Sequence, residues 1–338
     1  MRKLLNTIYV TDEKAFLGLE GETLVHNLEG KKTRIPFDNI ESIVCMNYVG
    51  CSPALMGKCV SRSVPINFVS PSGKFWAKVC GETKGNVFLR VQQIDTFREK
   101  GLNYAKSVMA AKSFNTKQLI RQYMSSRPDL TDDYQVKQTL AILEDSIEKI
   151  EKTTTADALL GIEGNCAKAY FSVFNILMNN EGFSFVHRNK RPPLDPVNAM
   201  LSFVYTLLMS DYASALETVG LDSYIGFYHT LRSGRCSLAC DLMEETRCLV
   251  ERFVLSMIHL KMVNQKDFEK QISGAIWLND QGRKKVITRW QERKRKTMLH
   301  PFLNEKIPWG LLPYVQSNLL AKVVRGELEN YPAFLLKG

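Results

Sequence analysis

The first 90 or so residues alternate short apolar runs with turn signals. NTIYV (6–10), AFLGL (15–19), TLVHN (23–27), TRIPF (33–37) and IESIVCM (40–46) are rich in β-branched and aromatic residues, as strands are. Glu20-Gly21 and Glu29-Gly30 mark turns between them. A short helix is predicted over 53–62, then strands at PINFV (65–69) and KFWAKVC (74–80) joined by Ser-Pro-Ser-Gly. From about residue 97 glycine and proline thin out, and the apolar period lengthens to that of helices. DYQVKQTLAILEDSIEKIEK (133–152) reads as an amphipathic helix. Further helices are predicted over 153–178, 196–218, 237–262, 285–297 and 313–328, with Thr and Asp as start signals for the first. EGFSFVHRNKRPPLD (181–195), with its prolines and basic residues, reads as a loop. The pattern predicts an α+β chain: a sandwich-like N-terminal β-domain over residues 1–95 and a larger all-helical domain over 96–338.

A length of 338 residues suffices for two such cores. Charge adds a partner class. The chain carries a net +10, and RKKVITRWQERKRK (283–296), with eight basic residues and one acid, holds +7 of it. Val286 and Trp290, four apart, can anchor this segment as a helix while Arg289, Arg293 and Lys296 line another face. Mere solvation is one reading of that face; binding of nucleic-acid phosphates accounts better for so dense a charge. Arg188 with Arg191, and Arg232 with Arg235, place more basic groups in two loops.

Other classes recede. The N-terminus lacks the long apolar stretch of a secretory signal. The most apolar run, AMLSFVYTLLM (199–209), falls short of the roughly 20 residues that span a bilayer. A cytoplasmic protein with no membrane partner is expected. The eight cysteines form no CxxC pair, so they read as small core residues rather than zinc ligands or disulfides.

Two places carry candidate chemistry. In HTLRSGRCSLACDLMEETR (229–247), His229 precedes a Ser-Gly turn, and Asp241 and Glu244 lie three apart on a predicted helix, sharing a face. A loop histidine above two carboxylates suits Mg²⁺ or Mn²⁺. A solvated acidic face with Glu245 and Glu251, beside a turn histidine, explains the same spacing. Glu163 lies in ALLGIEGNCAKAYF among residues that look buried, where a carboxylate is costly unless paired or bound to metal; an exposed glutamate on a polar face is the alternative. Gly164 beside it costs a helix about 1 kcal/mol and would admit a close neighbour.

Longer strings narrow these alternatives. GIEGNCAKAYF, RPPLDPVNAMLSFVYTLL, GLDSYIGFYHTLRSGRCSLACDLMEETR and LAKVVRGELENYPAF resemble, in order, the signatures of the CRISPR adaptation integrase family. The N-terminal YVTDEKAFLGLEGETLVH and CSPALMGKCVSRSVPINFVSPSGKFWAKVCGETKGNVFLR resemble it too, most closely its type I-C branch. The resemblance implies a metal-dependent DNA endonuclease and integrase, which joins the 3′-hydroxyl ends of short DNA fragments into the CRISPR array by transesterification. It implies catalytic residues Glu163, His229, Asp241 and Glu244, of which Glu163, His229 and Glu244 bind Mg²⁺ or Mn²⁺. Glu244 stands where many relatives carry aspartate. It further implies a homodimer formed through the β-domains, two such dimers flanking a dimer of a small ferredoxin-like companion protein. DNA contacts are expected from Arg188, Arg191, Arg232, Arg235, Arg289, Arg293 and Lys296.

Overall fold

Alternation in the first 80 residues becomes two four-stranded sheets. The computed structural model describes residues 7–12, 14–46, 49–70, 75–79, 81, 87–190 and 192–337. Strands β1 (Thr7–Val10), β2 (Ala15–Glu20), β3 (Thr23–Leu28), β4 (Lys31–Pro36), β5 (Ser42–Met46) and β6 (Gly50–Cys51) precede helix α1 (Pro53–Ser61), which is followed by β7 (Ile66–Val69) and β8 (Phe75–Val79). One sheet runs β1-β5-β7-β8, with β1, β5 and β7 parallel and β8 antiparallel. The other runs β4-β3-β2-β6, two antiparallel hairpin pairings plus a short parallel one. Ser52 caps α1 by accepting from Leu55 N at 3.2 Å.

The first sheet is covered on both sides. Ile43, Cys45 and Ile66 pack inward with Leu17, Leu24 and Leu55. Val44, Met46 and Val69, on the opposite face, join the core of the helical part. That is why residues 43–46 of IESIVCM read as an unbroken apolar run: parallel strands buried on both faces lose the polar alternation.

Helix α2 (Val87–Ser126) is 40 residues long, about 60 Å. It starts inside the segment assigned to the β-domain, and the division after residue 95 falls within it. Its first half buries one stripe, Leu89, Gln93, Phe97, Gly101 and Tyr104, that includes a glutamine and a glycine and lies beside exposed Val87, Phe88 and Val91. From Tyr104 to Ile120 several faces are buried where α3, α4, α8 and α10 pack on it, so no continuous apolar stripe marks it in the sequence. The helices that follow are α3 (Tyr134–Lys152), α4 (Ala156–Ser172), α5 (Phe174–Met178), α6 (Pro196–Thr218), α7 (Ser237–Met243) and α8 (Arg247–His259). Then come a hairpin of β9 (Phe268–Lys270) and β10 (Ile276–Leu278), helix α9 (Asp280–Arg295), a hairpin of β11 (Thr297–Leu299) and β12 (Lys306–Pro308), and α10 (Leu312–Val324). Thr155, Asp195 and Asn279 cap α4, α6 and α9.

Three expectations change in detail. The 153–178 helix breaks at Val173 into α4 and α5. The 237–262 helix is two helices joined by a 3₁₀ turn at Glu244–Thr246. The two C-terminal hairpins were not foreseen, since strands of three residues are too short to show a period. Helix α6 is long and apolar enough to cross a membrane, yet here it is packed against α7, α8, α10 and β10.

The charge of the 283–296 segment is mostly neutralised within the fold. Arg283 is buried and pairs with Asp280; Lys285 meets Asp267 at 2.7 Å; Lys284 meets Asp12 at 3.1 Å; Lys294 is buried with Asp211 at 2.8 Å. Val286 and Trp290 are buried as the anchoring pair. The seven described cysteines are free thiols, and burial pushes Cys45 and Cys59 up to about 12 and Cys51 up to about 11. Cys80 lies outside the described residues.

Candidate active site

Helix α2 is the spine of the site. Buried Gln93 donates to Asp222 O and Ile225 O, both at 2.9 Å, and accepts from Asp222 N at 2.9 Å. About one and three turns on, Phe97 and Tyr104 pack against Phe227, with ring centroids 5.3 and 5.7 Å away. These contacts seat the 222–229 loop. Further along, Lys112 reaches Glu163 of α4 and Glu244 of the 3₁₀ turn. Asn115 donates to Glu245 O at 2.7 Å and Phe334 O at 2.8 Å, tying the C-terminal segment to that turn.

Asp241 is wholly buried and organises the loop above it. Its carboxylate accepts from Phe227 N at 2.7 Å, Tyr228 N at 3.0 Å and His229 N at 2.9 Å. His229 Nδ1 lies 2.6 Å from Asp241 Oδ1. Nδ1 is held there and Nε2 is turned away from Asp241, an orientation of the kind a carboxylate gives to histidines at metal centres. Gly226 is required for the approach: a Cβ there would stand 2.4 Å from Asp241 Oδ2. Gly164 behaves differently, for nothing lies within 4 Å of the Cβ it lacks.

Glu163 and Glu244 converge from two elements on one ammonium. Lys112 Nζ bonds Glu163 and lies 2.6 Å from Glu244 Oε2. Arg247 donates to Glu244 Oε1 at 2.8 Å, and its guanidinium lies 4.4 Å over the Tyr205 ring. Burial alone would raise the Glu244 carboxyl; Arg247 and Lys112 outweigh it and hold the group well below the usual carboxylate range, with His229 adding to the effect. For Lys112 burial works against the charge, and Glu244 and Glu163 outweigh it. Tyr205 donates to Glu251 at 2.6 Å, and burial raises the Glu251 carboxyl against the pull of Arg247.

Asp241 and Glu244, expected to share a helix face, therefore do separate work: one holds the His229 loop, the other faces Lys112 and Arg247. Glu245 and Glu251 do not form a solvated face; both are buried. Glu245 accepts from Tyr331, Gln316 and Phe334 N, while burial pushes its carboxyl up to about 7. Glu163 is half-buried, its side chain 23% exposed.

Among the described residues no three carboxylate, imidazole or thiolate side chains converge as a ligand set. The donor chemistry nevertheless suits a divalent cation. Two carboxylates already share one positive charge, and an oriented imidazole lies near enough to influence Glu244. The buried Tyr228 hydroxyl, close to Glu163, Glu244 and Asp241, has no hydrogen-bond partner among the described residues. Lys112, Tyr228 and Arg247 were not singled out in the sequence. Arg247, three residues after Glu244 in MEETR, was open to inference; Lys112, alone in VMAAKSFNT, showed only as a charge in an apolar stretch.

The basic residues divide. Arg188 is held within the fold by Asn198 at 2.7 Å and Ser202 at 3.0 Å. Arg293 is half-buried, its guanidinium 5.0 Å over Trp309. Arg235 is half-buried beside Cys240. Arg232, Arg289 and Lys296 are exposed, Arg289 with Glu292 at 2.8 Å. Arg191 lies outside the described residues. A cavity of about 540 Å³ opens beside Glu163, lined by Lys112, Lys168, Arg188, Lys190 and Arg247 among others.

Fold and site together define a class: a two-sheet domain joined to a helical domain that gathers acids and a histidine beside a basic cavity. The family model of CRISPR-associated protein Cas1 matches residues 8–292, and the chain belongs to that family. A CRISPR-associated endonuclease Cas1 of Chlorobaculum tepidum is 39% identical over 99% of both chains. One of Rhodospirillum rubrum is 41% identical over the full length of both. In fold, the chain is similar to a casposase bound to integration product (TM-score 0.85, 20% identity, 97% of this chain and 94% of that one). It is likewise similar to a Cas1 protein from Thermotoga maritima (TM-score 0.82, 22% identity, 95% and 97%).

Proposed function

We propose that this chain is a divalent-metal-dependent DNA endonuclease and integrase of CRISPR adaptation, acting in the cytoplasm as a homodimer with a small ferredoxin-like companion. The carrying observation is the convergence of Glu163 and Glu244 on one cationic charge, beside a His229 oriented by Asp241, in a member of the Cas1 family. The N-terminal strings that resemble the type I-C branch support placing it there.

Glu163, Glu244 and His229 Nε2 would hold Mg²⁺ or Mn²⁺. The bound ion would neutralise charge developing at the scissile phosphate and favour attack by a 3′-hydroxyl or by water. Asp241 keeps the imidazole in one tautomer, Arg247 keeps Glu244 ionised, and the basic cavity receives the phosphodiester that the carboxylates alone would repel. One phosphodiester replaces another, so joining needs no nucleotide hydrolysis. The relatives' description as endonucleases favours a second reading, cutting without joining.

A plasmid assay separates the two. A short duplex with 3′ overhangs, Mn²⁺ or Mg²⁺, the companion protein and a supercoiled plasmid carrying a CRISPR leader and repeat should give covalently joined product. His229→Ala should lower joining at least about 100-fold, the scale of losing a group that acts in the transition state. Cutting without joining would select the nuclease reading. Full joining by His229→Ala would remove this histidine from the site.

DNA contact by the exposed basic residues is measurable apart from chemistry. Arg289→Ala and Lys296→Ala should weaken binding to all sequences alike and lower the salt slope by about one each. Lys294→Met should leave the slope unchanged and cost about 3–5 kcal/mol of stability, since it strands Asp211. An unchanged slope in the exposed pair of variants would remove that face from the interface.

A further inference from the structure

We propose that Lys112 is a cationic latch on the candidate metal site: its ammonium holds Glu163 and Glu244 together and competes with a divalent cation for the same two carboxylates. The inference rests on the metal-binding reading above and adds a residue and a mode of control that this reading does not contain.

Three observations carry it. First, Lys112 Nζ contacts both carboxylates at once, bonding Glu163 and lying 2.6 Å from Glu244 Oε2. A cation held by the same two groups must share them with the ammonium or displace it. Second, the lysine is not a solvated neighbour. Its side chain is 16% exposed, and its ammonium lies within the fold against both acids. Two carboxylates this close repel each other unless something positive lies between them, and Lys112 supplies that charge from within the chain. Third, a displaced ammonium has somewhere to go. Lys112 lines the cavity of about 540 Å³ beside Glu163, where Lys168, Arg188, Lys190 and Arg247 already make a surrounding fit for an anion. An ammonium released from the carboxylates would meet an incoming phosphodiester there. Ion and substrate would then support each other: the ion frees the lysine, and the DNA phosphate receives it.

Arg247 differs from Lys112. It reaches Glu244 from the same short stretch of chain, takes the other oxygen, and is also engaged with Glu251 and Tyr205. Glu163 has Lys112 as its ion-pair partner and is not shared with Arg247. Removing Lys112 therefore frees one oxygen of each acid and leaves the Arg247 network standing.

The test is Mn²⁺ binding by the full chain without DNA, followed through the electron paramagnetic resonance signal of free Mn²⁺, with melting temperatures taken at zero and saturating Mn²⁺. Lys112→Met should bind Mn²⁺ at least about tenfold more tightly than wild type, because a competing charge a few ångströms away is gone. It should melt lower than wild type without Mn²⁺ and gain more from it. Lys112→Gln, which can still hydrogen-bond the carboxylates, should also bind more tightly. Lys112→Arg, which keeps the charge, should return affinity towards wild type. If Lys112→Met folds only with Mn²⁺, the ion has replaced the lysine and the latch stands. If wild type binds Mn²⁺ through Glu163 and Glu244, but Lys112→Met and Lys112→Gln bind it equally or more weakly, the latch is overturned and the metal site survives. If no form binds Mn²⁺, both readings fall.

Discussion

Asp241→Asn is expected to reduce strand joining by about 10²–10⁴-fold, although asparagine has nearly the same size and shape. Four donors face the two carboxylate oxygens: three backbone N–H groups of residues 227–229 and the His229 ring. Asparagine has one oxygen. Its NH₂ must point at donors on one side, whichever way it turns. If the NH₂ faces His229, the ring changes tautomer or swings away; the loss of an orienting carboxylate behind a catalytic histidine sets the quoted scale. If it faces Phe227 and Tyr228, two buried N–H groups lose their acceptor, at about 1–3 kcal/mol each. The variant should therefore fall in Mn²⁺ affinity by about 10–100-fold, the range for a disturbed outer-shell partner. Initial rates at saturating Mn²⁺, with the Mn²⁺ affinity and a thermal melt, separate these effects. A variant within twofold of wild type in both rate and affinity would mean that Asp241 does not set the histidine.

Arg247→Met should cost about 3–5 kcal/mol of folding stability, read from guanidinium denaturation. The guanidinium is the counter-charge of Glu244 at 2.8 Å, lies 3.8 Å from Glu251, and stacks over Tyr205. Methionine fills much of the volume but leaves two buried carboxylates with one fewer cation between them. Glu251 would take up a proton, since burial already raises it. Glu244 would lose one of the two cations that hold it ionised, Lys112 remaining. Arg247→Lys should recover part of the stability, because a point charge replaces a planar fork that serves an acid and an aromatic face together. A loss below about 1 kcal/mol would show that water, rather than Arg247, compensates the acids.

Legibility in the sequence followed the physics of each element. The strands of the sandwich and the helices α3, α6, α9 and α10 showed because each carries an apolar face or, in α6, a long apolar run, with α3 and α6 bounded by the cap residues Asp133 and Asp195, whereas α9 starts five residues before the predicted 285, at the Asn279 cap. Helix α2 hid because its buried positions include Gln93, Asn115 and Lys117 while Val87, Phe88 and Val91 are exposed, so the apolar pattern does not follow the buried face. At the site, spacing suggested His229, Asp241 and Glu244, but not the division of labour between the acids, which depends on the turn that replaces helix at Glu244. The partners from afar were invisible. Lys112 meets Glu163 across 51 residues of chain, and Gln93 holds the loop before His229 from 129 residues away. The partners within the basic segment were equally hidden: Lys284, Lys285 and Lys294 find acids brought near only by folding, whereas Asp280, the partner of Arg283, lies three residues before it.

The length of α2 has a mechanical consequence. Leu89 near one end belongs to the same core as Val69 of the sandwich, and Lys112 lies 23 residues on, about 35 Å along the same continuous rod. A rod of that length converts angle into distance. A tilt of about 5° pivoting at Leu89 would carry the Lys112 backbone some 3 Å sideways, enough to part its ammonium from the two acids. The contacts of α2 with α3, α4, α8, α10 and the turn at Glu244 are what hold that angle, so the alignment of Lys112 with its two acids depends on the packing of the whole helical core around one rod.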